Sequence, residues 1–118
     1  MDIITSPPQL LAIRQPMDQN PAAVYLAGLG TEGSRRAQAH ALSVVADLLT
    51  ADRNPFTVNW AALRFQHTAL IRSKLLDMDY APQTTNRTLA ALKGVLKAAW
   101  RLGQMSAEDY ARAIDVTG

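Results

Sequence analysis

The segment TTNRTLAALKGVLKAAWRLG, from Thr84 to Gly103, sets the strongest limit on the fold. At about 100° per residue, Leu89, Leu92, Val95, Leu96, Ala99, Trp100 and Leu102 fall on one broad arc. Arg87, Lys93, Lys97 and Arg101 lie opposite, together with Asn86 and Gln104. Ala90 and Gly94 occupy the middle of that polar arc. Such a helix is about 30 Å long. An apolar stripe of that length must be covered along its whole run, so the helix requires others around it.

The rest of the chain offers them. Asn20 is placed as an N-cap and Pro21 as a first helical residue, opening a short helix that Gly28 and Gly30 stop. A second helix is expected from Gly33–Ser34 to about Thr50, with Leu42, Val45, Leu48 and Leu49 on one face. Pro55 then breaks the chain. A third helix is expected after Asn59, with Trp60, Leu63, Leu70, Ile71, Leu75 and Met78 as its buried stripe. Gly103 suits the position just past the end of the fourth helix. Ser106 and Asp109 mark the start of a fifth. Residues 1–19, with Pro7, Pro8 and Pro16, read as a flexible leader, and residues 20–118 as one helical domain. Hydrophobic residues make up 48% of the chain and aromatics only 6%, a balance that suits close-packed helices better than strands. The expected fold is therefore all-α, a compact orthogonal bundle of four to five helices.

Several classes of function find no support. Without cysteine there is no disulfide framework and no thiolate metal site. No apolar run approaches the roughly 18–20 residues of a membrane span, and the N-terminus lacks the pattern of a signal peptide. A cytoplasmic location without membrane contact is the expectation. His40 and His67 lack metal-site spacing, and His67 falls near a buried stripe, where a packed, hydrogen-bonded role is expected. Glycines 28, 30 and 33 follow a helix and lack a following Gly-Lys-Ser/Thr, unlike a nucleotide loop. Neither cofactor, metal site nor catalytic constellation is expected in this chain.

Charge is more informative. Residues 53–107 hold eight basic side chains against Asp77 and Asp79, while the segments on either side are net acidic. This asymmetry favours an anionic partner. On the fourth helix, small residues between cations would let the backbone approach a polyanion, and Thr84, Thr85 and Asn86 would add hydroxyls, an amide and free backbone N–H groups. On the second helix, Arg35 and Arg36 stand in the first turn, where cations oppose the helix dipole, with His40 on the outer face. A bound phosphate would explain both. The competing readings are a solvated basic face and a helical interaction or regulatory module for an acidic protein partner.

The order SRRAQAHALSVVADLL, WAALRFQHTALIRSKL, YAPQTTNRTLAALKGVLKAAWRLGQMSAEDY resembles the N-terminal core-binding domain of tyrosine recombinases, the phage-integrase family. The most specific part runs from Thr84 to Met105, and the resemblance covers roughly residues 20–115. It implies a SAM-like helical domain that forms half of a clamp around double-stranded DNA, in a bacterial or phage-encoded protein. It also implies a separate C-terminal catalytic domain with an arginine, a His-x-x-Arg motif and a nucleophilic tyrosine. That set is not recognisable here, since Ser43 and Leu70 stand three residues after His40 and His67. The chain thus looks like a fragment of a DNA-breaking and rejoining recombinase. Its implied partners are the recombination half-site, the parent's catalytic domain and neighbouring protomers. The implied DNA contacts are Arg35, Arg36, His40, Thr84, Thr85, Asn86, Arg87, Lys93, Lys97 and Arg101.

Overall fold

The computed structural model describes residues 11–117. Five α-helices run in the order α1 (Pro21–Ala27), α2 (Glu32–Thr50), α3 (Phe65–Asp77), α4 (Pro82–Arg101) and α5 (Ala107–Ala113). Short 3-10 turns stand at Met17–Gln19, Pro55–Thr57 and Trp60–Ala62. Among the described residues the fold is all-α, and the one β-type pairing is an isolated bridge between Ala12 and Val58.

Local chemistry sets the helix limits. Asn20 Oδ1 accepts from the N–H groups of Ala22 and Ala23 at 3.1 and 3.3 Å, and Pro21 follows at the first position. The Asn20 amide also donates to the Phe56 carbonyl at 2.6 Å, which ties the start of α1 to the turn before α3. α4 ends in a Schellman motif. Gly103 takes φ 77°, its N–H donates to Trp100 O, and the N–H of Gln104 donates to Ala99 O. Ser106 Oγ accepts from Asp109 N at 3.0 Å and opens α5.

The core is built around α4. Leu89, Leu92, Val95 and Leu96 are buried against Leu42, Val45 and Leu49 of α2, Ile71 and Leu75 of α3, and Trp60. Each such side chain contributes about 1.5–3 kcal/mol on burial. The Trp60 indole N–H donates to Pro55 O at 2.9 Å, so the largest core side chain is also satisfied. On the far side, Thr68 Oγ1 donates to Ala113 O at 2.7 Å, Arg64 pairs with Asp109 at 3.4 Å, and Arg72 Nε donates to the Thr117 carbonyl. These contacts fasten α5 and the chain after it to α3. Asp109 of α5 is thus engaged within the domain.

Three expectations need correction. Residues 1–10 of the expected leader lie outside the described residues, but residues 11–19 pack on the domain. Leu11 is buried, its carbonyl accepts from Asn59 N, and Ile13 N donates to Thr57 O. α3 starts at Phe65 rather than after Asn59, because Leu63 is extended at ψ 141° and separates the Trp60 turn from the helix. Leu70 and Met78 are exposed, while His67 and Thr68 take the inner face with Ile71 and Leu75.

Candidate nucleic-acid interface

The outer face of α4 exists as an arc. Arg87, Lys97 and Arg101 are exposed and Lys93 is half-buried. They spread over about 120° of the circumference and about 21 Å of the axis. No carboxylate of the described residues lies within 4.0 Å of any of them. The ion pairs instead engage Arg36, Arg53, Arg64 and Arg112. Among the described residues, none of the four α4 cations is held in an ion pair.

The N-terminal half of α4 meets α2. A small groove between them, about 70 Å³, is lined by Ala37, His40, Ala41 and Val44 from α2, with Tyr80, Thr84, Arg87 and Thr88 opposite. Arg36 stands one turn before His40 and is exposed. The fold thus brings His40, Thr84 and Arg87 to one seam, although some 44 residues separate His40 from Thr84 in the chain. Asn86 is exposed and lines a neighbouring recess with Leu76, Tyr80, Pro82 and Thr85.

Other expected site features fall away. Thr85 is buried, only 3% exposed, because it sits one turn before Leu89 on the core side of α4. The free N–H groups expected at Thr84 and Thr85 are engaged. α4 begins at Pro82, which has no N–H, and both threonine amides donate to the Ala81 carbonyl at 2.9 and 3.2 Å.

Gly94 is not an open stretch for a polyanion either. The Tyr25 ring of α1 lies over it. The two arginines of α2 also have local explanations that need no bound anion. α2 starts at Glu32 rather than Gly33, so an acid does occupy its first turn, and Arg36 pairs with it at 3.4 Å. Arg35 donates to the Leu29 carbonyl at 2.8 Å.

Sequence reasoning placed Trp100 in the core. It is instead 38% exposed and stacked on Tyr110 of α5, with ring centroids 5.2 Å apart and planes 3° from parallel. It missed Tyr80 and Ala37 as lining of the α2–α4 groove. The available signal was the alignment of Ala37, His40, Ala41 and Val44 at three- and four-residue spacing on one side of α2.

His67 lies in none of these grooves. It is buried, and its Nδ1 accepts from the Arg64 N–H at 2.9 Å. Burial, with Arg64 as a lesser cause, lowers its pKa below the ordinary value of 6.5. Among the described residues no cluster of His, Asp or Glu could hold a metal ion. No helix of the described residues is long and apolar enough to cross a membrane. Comparison of the chain with known protein families, curated proteins and solved structures returned no match.

Proposed function

We propose that this chain is a duplex-DNA-binding domain that grips the phosphate backbone through the α2–α4 seam. The observation that carries the reading is the convergence of His40, Thr84 and Arg87 across that seam. Arg36 extends it along α2, and Lys93 and Lys97 extend it along an arc of α4 without a neighbouring acid. Cations and a hydroxyl supplied by two helices can follow phosphates on both sides of a groove, while Asn86 and Arg87 can reach base edges. Affinity then comes mostly from phosphate contacts and depends steeply on salt.

The resemblance of Thr84 to Met105 to the recombinase core-binding domain supports the same reading. In this proposal the domain is half of a clamp on a recombination half-site, and a C-terminal catalytic domain of the parent performs strand exchange. The chain itself then carries out no chemistry and acts on cytoplasmic DNA of a bacterium or phage. Its exposed apolar side chains on α3, Phe65 and Leu76, offer surface for that domain or a neighbouring protomer.

The test is a salt titration of duplex binding for the wild type, Arg87→Gln and the Lys93→Gln/Lys97→Gln double variant, with heparin as the comparison polyanion. The proposal expects weaker binding across all duplex sequences and a salt slope flattened by up to about two units in the double variant. Unchanged DNA affinity in both variants, or tighter binding to heparin with no duplex preference, rejects it and favours an acidic protein partner.

A further inference from the structure

A second concavity lies toward the C-terminal end of α4, against α1. It is a half-open trough of about 350 Å³. Val24, Tyr25 and Leu29 from the α1 side and Ala98 and Leu102 from α4 form apolar walls. Gly28 and Gly94 complete its lining, with the Tyr25 ring seated over Gly94. Lys97 and Arg101 are also part of its lining, one helical turn apart and exposed. No acidic residue lines it.

We propose that this trough binds a small amphipathic monoanion, an alkyl or aryl carboxylate, with its apolar tail along the floor and its carboxylate between Lys97 and Arg101. The size fits the lower range of small-molecule sites, and the apolar lining with a few convergent polar groups is their usual make-up. A phosphodiester or free phosphate would gain from the two cations but would have its oxygens against apolar walls, where desolvation is costly. A neutral apolar molecule would leave the cations unused, and an organic cation would be repelled. Burial raises the pKa of the Tyr25 phenol above its ordinary value, so the wall carries no negative charge to oppose an anion. The inference rests on the trough alone and does not depend on the DNA reading. The two share Lys97 and, at the far end of the DNA arc, Arg101.

Amide chemical shifts of the full chain, titrated separately with decanoate and decyltrimethylammonium below their micelle concentrations, decide the matter. Saturable decanoate shifts at Val24, Gly28, Gly94, Ala98 and Leu102, with a weaker response to the cation, support the proposal. Arg101→Gln should weaken decanoate several-fold, Lys97→Gln/Arg101→Gln at least tenfold, and Val24→Ser several-fold without touching a charge. Arg87→Gln, which lowers DNA affinity in the reading above, should leave decanoate binding unchanged. Failure to saturate, an equal response to both surfactants, or full affinity in folded Arg101→Gln and Val24→Ser overturns it.

Discussion

The ring of Tyr25 lies across Gly94 so closely that a β-carbon built at position 94 would come within 2.2 Å of Cε1. Intrinsic helix propensity alone would make Gly94→Ala stabilising by about 1 kcal/mol. Here the added methyl must push the ring, and overpacking of this kind costs about 1–3 kcal/mol. Gly94→Ala should therefore fail to stabilise the protein and lower its stability by up to about 2 kcal/mol in chemical denaturation. In a Tyr25→Ala background the same change should become neutral or stabilising, because the ring is gone. A destabilisation that persists in that background would mean that the contact is not the cause.

The proposed DNA seam predicts a graded effect along α4. Arg87, beside His40 and Thr84, should matter most, and Arg101, about 21 Å further along the axis, least. Single changes to glutamine, measured by duplex binding at fixed salt, should rank Arg87 above Lys93 and Lys97, and those above Arg101. A flat ranking would point to diffuse attraction rather than a docked seam. Thr85→Val should leave binding unchanged, since that side chain is buried.

His67 makes stability depend on pH. Its folded pKa is lowered, so the unfolded chain takes up a proton first as pH falls. The contribution of neutral His67 is fully present above the unfolded value of about 6.5. It is lost progressively as pH drops from there toward the folded pKa. Protonation also removes the Nδ1 acceptor used by the Arg64 N–H. His67→Asn keeps an acceptor near that position without a titrating proton. Melting temperatures of this variant should therefore vary less than those of the wild type between pH 7 and about 5.5. Parallel pH profiles for the two proteins would reject this role.

Thr68→Val tests the attachment of α5. The variant keeps the shape but removes the hydroxyl that donates to Ala113 O inside the protein. A carbonyl left without its donor there costs about 1–3 kcal/mol. The loss should show as faster hydrogen exchange in residues 107–114, with protection in α2 largely retained. Equal loss in both helices would assign Thr68 a role in the whole core.

Some of this was legible from the residues alone. Asn20 with Pro21, and Gly103 just past α4, are local signals that act through their own backbone, and they appear where the sequence places them. The start of α3 was harder to read. Trp60 and Leu63 share a face at three-residue spacing, which a 3-10 turn and an α-helix both provide, so the pattern alone does not separate them. Thr85 was misread because hydroxyls at a helix start usually face water, yet its position four residues before Leu89 puts it on the inner side. Gly94 could not have been understood from α4 at all. Its neighbour is an aromatic ring supplied some seventy residues earlier in the chain.

α4 packs against α1, α2, α3 and α5, while the remaining helices fall into two pairs, α1 with α2 and α3 with α5. It thus acts as a keystone between two halves, each of which lacks an inner wall without it. Neither half should persist when α4 leaves, so melting should be all-or-none, and the slowest-exchanging amides should be those of Leu92 to Leu96. On the proposed DNA reading, a strand that pulls on this helix would load the whole domain at once.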